Sequence, residues 1–530
     1  MKEMRKLPKG WVWTSLKNTS QILPGNGFPK KIQGKLKGQY PFFKVGDISK
    51  NVQASYRFLH FCDNYIDDDE LKAIKGKLLP KNTIVFAKIG EALKLNRRAI
   101  LKTPSLIDNN AIGVKPFGRI LNKIFAYFFL TTIRLENFSR ATTVPSVRKT
   151  DIEEIDIPIP PIPEQDRIVA KIEELFSELD NGIENLKKAR KQLKTYRQAV
   201  LKYAFEGKLT KKWRTLQGRA GNPPEPAGKL LEQINIEREK HYQKQLEGWK
   251  RACEQTKTKG NKKPVKPRKP KELPPITEKE LAELSELPEG WCYCYLAHLG
   301  ELARGKSKHR PRNDKKLFGG NYPFIQTGEI KAAHGIIKTY KNTYNITGLA
   351  QSKLWPKGTL CITIAANIAN TAFLGFSACF PDSIVGFTAY ESSIIPKFVD
   401  YFIQATREKI EAFAPATAQK NINLTTLENL LIPYCGLGEQ HAIVQEIESR
   451  LSVCDKIEQT IEDSLKKAEA LRQSILKKAF AGELTKDWRE KHPELVTGEN
   501  SAEKLLEKIK AEKALAAGRK KPRSKKTKKK

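Results

Sequence analysis

Apolar residues recur every seven positions along two long stretches of the chain. Between residues 164 and 204 one series of heptad positions holds Ile172, Leu179, Leu186, Leu193 and Val200, and a second holds Phe176 and Ile183. Towards the C-terminus the corresponding residues are Ile447, Cys454, Ile461, Ala468 and Ile475, with Leu451 and Leu465. This is the spacing of a coiled-coil seam. The pattern therefore predicts two long helices, and we expect these residues to pair them.

The ends of the predicted helices carry boundary signals. The proline-rich run IPIPPIP precedes the first helix, and Gly207 and Gly482 follow the last apolar residues of the two helices. Glycine is favoured just past a helix C-terminus because it adopts positive φ without strain. About forty residues at about 1.5 Å each predict a rod of roughly 60 Å.

The segments before the helices have a different pattern. Short β-rich runs, such as Thr83–Ala87 and Thr359–Ile364, stand between turns rich in glycine and proline. We therefore predict two mixed α/β (α+β) domains, each followed by a long helix. The two helices are expected to pair as an antiparallel coiled coil.

The whole arrangement is an internal repeat. YRQAVLKYAFEGKLTKKWR, starting at Tyr196, matches LRQSILKKAFAGELTKDWR, starting at Leu471, at twelve of nineteen positions. Earlier in each copy only landmarks persist, among them LPxGW at Leu7 and at Leu287. A shared scaffold with different contents predicts two related surfaces that recognise two different things.

The repeat sets the domain boundaries. The predicted segments are a first variable domain (1–158), a first conserved helical region (159–213), a linker with a helix and a basic Pro/Lys-rich stretch (214–286), a second variable domain (287–433), a second conserved helical region (434–489), and a short helix with a basic disordered tail (490–530). We expect the linker and the tail to be mobile connectors that contact phosphates weakly, or charge that serves only solubility.

The charge of the chain points to a polyanionic partner. The formal net charge is +37, and the runs from Lys257 to Lys271 and from Arg519 to Lys530 supply much of it. More than half of the excess remains when both runs are removed, so the folded parts are basic too. An excess of this size indicates binding to nucleic acid.

The remaining composition gives no sign of a membrane or a metal site. The N-terminus lacks an apolar stretch long enough for a signal peptide, and the run around Ile124 to Leu130 is too short to span a bilayer. Eight scattered cysteines show no metal-ligand or disulfide spacing. We expect a reduced cytoplasmic protein that does not bind metal.

Three motifs suggest catalysis at first sight. GELARGKS, from Gly300 to Ser307, matches the phosphate-loop pattern, but His309 and Pro311 oppose the helix that must follow, and Lys306 is better assigned to DNA. Asn222–Glu225 (NPPE) is reminiscent of an adenine-binding motif but lacks the aromatic residue that would stack on the base. Asp67–Glu70 is explained as an acidic helix start. We predict no catalytic site.

Candidate DNA contacts are basic or amide residues in loops rich in glycine and proline, because arginine and glutamine read base edges while lysine mostly binds phosphate. For any single residue, an ordinary solvated charge is an equal alternative. The candidates are Lys30, Lys31, Lys35, Lys88, Arg97, Arg98, Arg140 and Arg148 in the first domain, and Arg304, Lys306, Lys308, Arg310, Arg312, Gln419 and Lys420 in the second.

The chain resembles the specificity subunits of type I restriction-modification systems over nearly its whole length. The resemblance rests on the doubled LPxGW, the helices entered through PEQ or GEQ, and the doubled AF-x-G-x-LT-x-x-WR. It implies that each variable domain recognises one half of a bipartite DNA target. It also implies that the helices space the domains and hold two methyltransferase subunits, which methylate adenine with S-adenosylmethionine. ATP- and Mg-dependent restriction subunits would join these, while this chain would hold no cofactor.

Two rival functions remain open from the sequence alone. One is a self-sufficient DNA methyltransferase or nuclease with fused recognition domains, although its motifs are missing. The other is a coiled-coil scaffold that binds RNA or protein, which the charge and the paired α/β domains disfavour.

Overall fold

The structure is a computed structural model, and it describes residues 6–139, 144–221, 226–257, 266–267, 269–270, 272–309, 311–365, 367–390, 394–413 and 422–518. The chain forms two compact units. The first comprises Met1–Lys187 and Glu462–Lys530, and the second comprises Lys188–Ile461. Each unit thus contains one variable domain and parts of both long helices.

The elements alternate as predicted for two α/β domains separated by helices. The strands are β1 (Val12–Ser15), β2 (Ser20–Pro24), β3 (Tyr40–Phe43), β4 (Tyr65–Ile66), β5 (Ile84–Ala87), β6 (Ala99–Ile100), β7 (Leu106–Ile107), β8 (Ala111–Pro116), β9 (Asp156–Ile159), β10 (Cys292–Tyr295), β11 (Gly300–Arg304), β12 (Phe318–Phe324), β13 (Ile336–Ile337), β14 (Asn342–Tyr344), β15 (Leu360–Thr363), β16 (Thr371–Leu374), β17 (Ile384–Ala389) and β18 (Leu431–Tyr434). The helices are α1 (Leu16–Thr19), α2 (Val45–Gln53), α3 (Asp68–Ala73), α4 (Lys123–Thr132), α5 (Lys149–Glu153), α6 (Ile162–Phe205), α7 (Lys211–Arg219), α8 (Ala227–Lys257), α9 (Glu278–Ala282), α10 (Leu296–Leu299), α11 (Thr327–Ala332), α12 (Ile346–Ala350), α13 (Pro396–Ala405), α14 (Arg407–Ala412), α15 (Leu424–Glu428), α16 (Leu437–Phe480), α17 (Lys486–Lys491), α18 (Pro493–Val496) and α19 (Ala502–Gly518).

The first variable domain is built on a four-stranded antiparallel sheet in the order β2-β8-β5-β6. All four residues of β5 are buried, which explains its continuous apolar run. A second sheet, β4-β3-β7, packs its apolar residues in smaller clusters, and β1 pairs with β9 to join the start of the domain to its end. Helix α4 begins at the cap residue Asn122 and contributes Phe125 and Phe129 to the main core.

The second variable domain repeats this plan. Its main sheet has the order β11-β17-β15-β16-β13, so its first four strands correspond to β2, β8, β5 and β6. Strand β10 pairs with β18 as β1 pairs with β9, and β12 pairs with β14 as β3 pairs with β4. The domains diverge at β7, which pairs with β3, whereas β13 pairs with β16. Shared topology with divergent loops confirms the internal repeat.

The long helices run antiparallel in each unit. In the first, Ile172 and Ile475 belong to one core, and Arg472 of α16 forms an ion pair with Asp180 further along α6. In the second, Val200 and Ile447 share a core, and Arg197 pairs with Asp455 at 2.6 Å. In both units, residues later in α6 contact residues earlier in α16, so the two helices run in opposite directions.

Burial along the two helices follows the predicted heptads. The seam residues that are buried are Ile172, Leu193, Val200, Ile447, Cys454, Ile461, Ala468 and Ile475. The half-buried ones are Phe176, Leu179, Ile183, Leu186, Leu451 and Leu465. None of these fourteen side chains is exposed, which is what a coiled-coil seam requires.

The helices flanking the basic runs are packed, so the prediction of mobile connectors is wrong for them. Helix α8 is 31 residues long, and its Ile234 is fully buried in the core of the second unit. Helix α19 buries Ala502 and Leu506 in the core of the first unit. Apolar residues three to four positions apart give each helix a face that can be buried. Most of the run from Lys257 to Lys271, and all of Arg519 to Lys530, lie outside the described residues.

The predicted helix ends are found where the glycines stand. Helices α6 and α16 end at Phe205 and Phe480, and Gly207 and Gly482 adopt φ values of 66° and 74°. Lys208 N donates to Tyr203 O at 2.9 Å, which closes the last turn of α6. Across the described residues, we find no helix with the length and apolar character needed to cross a membrane.

Candidate functional site

A buried glutamate fixes the first variable domain to the end of helix α16. Glu164, fully buried at the start of α6, accepts hydrogen bonds from Trp11 Nε1 at 2.8 Å and from Thr485 Oγ1 at 2.7 Å. Arg489 Nε donates to the same carboxylate at 2.8 Å, and the Arg489 side chain is only 12% exposed. The carboxylate therefore keeps charge-assisted partners after it has left water. We call these four residues the first clamp.

The same four residue types form an equivalent cluster in the second unit. Glu439 accepts from Trp291 Nε1 at 2.8 Å and from Thr210 Oγ1 at 2.6 Å, and it forms an ion pair with Arg214. We call this set the second clamp. Its threonine and arginine come from the first repeat, while its tryptophan and glutamate come from the second. The repeated motifs LPxGW and LT-x-x-WR therefore contact each other in both units.

The glycines that end the long helices are part of the clamps. A Cβ on Gly482 would lie 2.5 Å from Pro8 Cγ, and one on Gly207 would lie 2.4 Å from Pro288 Cγ. The prolines belong to the two LPxGW motifs. Each glycine thus supplies both the positive φ of a helix cap and the space for the proline of the domain that docks there.

Several of the predicted DNA contacts of the first domain lie at one end of its main sheet. Strands β2 and β5 both pair antiparallel with β8, where Pro24 meets Ile112 and Ala87 meets Ala111. The loop after β2 carries the exposed Lys30 and Lys31 on a 3-10 turn. Lys88 follows β5 at the same end, so the structure brings these three lysines to one side of the domain.

Arg148 and Arg97 join the same end of the sheet. Val147 N donates to Lys88 O at 2.9 Å, which places the exposed Arg148 next to the end of β5. Arg97 is half-buried and precedes β6, which pairs with β5. Arg140 lies outside the described residues.

Lys35 has its charge partly neutralised within the domain. Its ammonium group forms ion pairs with Asp67 and, at 3.3 Å, with Glu70. These carboxylates raise the pKa of Lys35, the hydrogen bond to Asp67 contributing most. A phosphate would have to compete with both acids, so Lys35 is a weaker candidate than Lys30 or Lys31.

Arg98 is not a surface residue, and its assignment as a DNA contact is corrected. Its side chain is 2% exposed, lies over the Phe86 ring at 4.4 Å, and donates to Asn96 Oδ1 at 2.7 Å. Burial lowers the pKa of Arg98 to about 9. The guanidinium therefore packs inside the first unit.

Arg98→Ala is expected to destabilise the first unit by about 2–3 kcal/mol, because it removes a buried cation–π contact and buried hydrogen bonds. Urea unfolding measures the loss, and Arg97→Ala, at the half-buried neighbour, is the matched control with a change below about 1 kcal/mol. Unchanged stability together with altered base preference would restore Arg98 as a DNA contact.

The candidates of the second domain that the structure describes lie at the equivalent end of its sheet. Arg304 ends β11 and pairs with Val385, and Thr363 ends β15 and pairs with Ile384. The exposed Lys306 and Lys308 follow in the next loop. Arg310, Gln419 and Lys420 lie outside the described residues.

Asp382 orients two of the predicted arginines. Arg312 Nη2 donates to the Asp382 carboxylate at 2.9 Å, and Arg304 Nε donates to the Asp382 carbonyl oxygen at 3.0 Å. Both guanidinium groups are held beside the same loop, and each keeps further donors for a ligand.

The segments that resemble catalytic motifs have other structures. Gly300–Arg304 forms strand β11 itself, so its backbone groups pair with β17 rather than surround a phosphate. Asp67 precedes helix α3 and its backbone N–H donates to Glu70 at 2.9 Å, which confirms the acidic helix start. Asn222–Glu225 lies outside the described residues.

The clamp residues recur in both copies of the repeat, but the sequence alone does not show what they do. The signal was present, because Glu164 and Glu439 are polar residues at the start of coiled-coil helices and recur with the tryptophans and arginines. Their partners lie 148 to 325 positions away along the chain, so no local rule pairs them.

Comparisons with known proteins agree with both halves of the repeat. The family profile described as type I restriction modification DNA specificity domain matches residues 8–191 and again residues 288–467. The chain is 24% identical to the type I restriction enzyme EcoKI specificity subunit of Escherichia coli (strain K12), over 98% of this chain and 99% of that protein. It is 28% identical to the EcoDI specificity subunit of Escherichia coli, over 73% and 75% of the two chains.

The fold is also found in solved structures. A chain from a structural study of complex assembly and conformational transition in a type I R-M system superposes with a TM-score of 0.61. That alignment has 16% sequence identity and covers 90% of this chain and 99% of the other.

Proposed function

The chain belongs to the type I restriction-modification DNA specificity family, and we propose that it recognises a bipartite DNA sequence and directs methylation and restriction by partner subunits. The observation that carries the proposal is the double match of the specificity-domain profile, one match in each repeat. Two domains on one scaffold, with different loops at the same sheet end, suit two different half-sites.

The electrostatics support a role on DNA. The net charge of +37 favours association with a polyanion, and lysines and arginines gather where the main sheet of each domain ends. Phosphate contacts would fix the register of each domain, while arginine and amide side chains read base edges.

The partners follow from the same proposal. We assign methyl transfer from S-adenosylmethionine to two methyltransferase subunits, and ATP- and Mg-dependent cleavage to restriction subunits. The chain itself would hold no cofactor and catalyse no step. A role on DNA places it where the DNA of a prokaryotic cell lies, in the cytoplasm. The family match favours this role over a self-sufficient methyltransferase and over an RNA- or protein-binding scaffold.

The proposal is tested by mapping methylated adenines across the genome of cells that express the chain with its cognate methyltransferase subunit. The expected result is methylation at a single bipartite motif, absent when either protein is omitted. Purified chain incubated with S-adenosylmethionine and DNA should transfer no methyl groups. Methyl transfer by the chain alone, or no bipartite motif in the complete system, would contradict the proposal.

A further inference from the structure

Residues 305–308, at the start of the loop between β11 and β12, form a basic segment anchored to the second domain by hydrogen bonds. Gly305 N donates to Ile384 O at 2.9 Å, Lys308 N donates to Gln351 Oε1 at 2.6 Å, and Ser352 Oγ donates to Lys306 O at 2.8 Å. These anchors fix the backbone while the lysine side chains stay exposed. A fixed loop binds a ligand with a smaller loss of conformational entropy than a free one.

A cavity of about 660 Å³ opens beside this loop. The loop contributes Arg312 and Lys315 to its wall, and the strands β12 and β14 with their flanks contribute Gln326 and Asn342. Phe318 and Phe324 supply apolar lining. Its exposed polar groups include the Arg312 guanidinium, the Lys315 ammonium and three side-chain amides, those of Asn313, Gln326 and Asn342. These are side-chain types that read base edges and phosphates.

Arg312 is pre-oriented within this cavity. Asp382 accepts from its Nη2 at 2.9 Å and is 39% exposed at the side chain, so the pair lies at the rim rather than in the core. An ion pair at such a rim contributes little to stability. Its effect is to hold the planar guanidinium in one place, which a bidentate contact to guanine requires.

The first domain keeps one part of this surface and changes the rest. The loop between β2 and β3 has its own 3-10 turn, Lys30–Ile32, at the place where the second domain has Lys315–Leu317. Two exposed lysines begin each turn. In contrast, the first domain has Gln33 and Lys44 hydrogen-bonded to each other near its turn. Lysines that occur in both domains are expected to bind phosphates, because phosphates are common to all DNA. Side chains that differ between the two domains are expected to contact bases.

We infer that this cavity reads the bases of the half-site bound by the second domain, with Arg312, Gln326 and Asn342 on base edges and Lys315 and Lys316 on phosphates. The inference rests on the proposed function and deepens it by naming the reading surface. Guanine offers O6 and N7 to an arginine, and adenine offers N6 and N7 to an amide. The half-site of the second domain should therefore include guanine and adenine at the positions these residues contact.

The test maps methylated adenines in cells that express the methyltransferase subunit with Arg312→Ala, Gln326→Ala or Asn342→Ala. Each variant should relax one base position of one half-site, with discrimination falling roughly tenfold or more, while the other half-site stays unchanged. Arg312→Lys keeps the charge but loses the planar fork, so it should relax the same position as Arg312→Ala.

The lysine pair gives a second readout that does not depend on base identity. Lys315→Ala/Lys316→Ala should weaken binding of the assembled complex to all DNA sequences alike and lower the salt dependence of binding by about one unit per lysine. Lys357→Ala is the control. This exposed lysine precedes the start of β15, whereas Ile384 pairs with the last residue of that strand, so Lys357 lies at the other end of the sheet. Thermal melting checks that every variant is folded.

Folded variants at Arg312, Gln326 and Asn342 that leave both half-sites unchanged would overturn the inference. That outcome differs from failure of the proposed function, in which the parent chain itself directs no methylation at a bipartite motif. A change in both half-sites from one substitution would also overturn it, because the cavity lies wholly within the second unit.

Discussion

Arg489→Ala is expected to destabilise the first unit by about 3–5 kcal/mol, because it leaves the fully buried carboxylate of Glu164 without its cation. Breaking a buried ion pair by removing one partner is among the most costly single substitutions. The loss should be confined to the first unit. Arg214→Ala should have the reciprocal effect, since Glu439 belongs to the second unit.

Hydrogen exchange read by mass spectrometry separates the two effects, because peptides from each unit report on their own unit. Urea unfolding gives the size of the loss. Lys504→Ala is the control in the first unit, because its ion pair with Glu507 is exposed at both side chains and so contributes little to stability. Adding Glu164→Gln to Arg489→Ala should restore part of the stability, since no uncompensated charge then remains buried. Equal loss of protection in both units after Arg489→Ala would contradict the clamp assignment.

The long-range plan of the fold was predictable because it rests on repetition. Heptads from Ile172 to Val200 gave the helix, Gly207 and Gly482 gave the helix ends, and the duplicated LPxGW gave the domain starts. The heptads and the helix-ending glycines are local signals, while the duplicated motif is recognised by comparing the two copies directly. Burial of the seam residues and the matching sheet orders confirm them.

The clamps and the buried arginine were not predictable in this way. Trp11 and Arg489 lie at opposite ends of the chain, and only the tertiary fold brings both to Glu164. Arg98 was taken for a surface residue because arginine is rarely buried. The Arg98 guanidinium contacts the Phe86 ring and the Ile133 carbonyl oxygen, and these two groups are brought together only in the folded domain.

The packing of α8 and α19 was missed for a related reason. Their sequences are rich in lysine and glutamate, and this obscured the buried positions Ile234 and Leu506. The predicted DNA contacts remain predictions. The structure places those that it describes, apart from Arg98, on the domain surfaces, and several gather at one end of each main sheet.

Exchange of one variable domain is expected to change one half-site and to leave the other intact. Residues 7–158 contain the recognition surface of the first domain and Trp11, while Glu164, Thr485 and Arg489 lie outside them. A donor domain that carries LPxGW supplies its own tryptophan. We expect this tryptophan to form the hydrogen bond to Glu164 and the unit to fold normally. The effect on specificity is complete rather than graded, because every base-reading side chain of that domain is replaced at once.

Exchange of residues 287–433 is the matched control. It replaces Trp291 by the donor's tryptophan and leaves Glu439, Thr210 and Arg214 in place. This second exchange should alter the half-site that the first exchange leaves unchanged.

Whether each domain reads its own half-site is decided by a genome-wide map of methylated adenines for the parent chain and for these two exchanges, each expressed with the same methyltransferase subunit. We expect one bipartite motif for the parent, a new sequence in one half only for the first exchange, and a new sequence in the other half only for the second. Motifs that change in both halves after a single exchange, or in neither, would contradict the claim that each domain reads its own half-site.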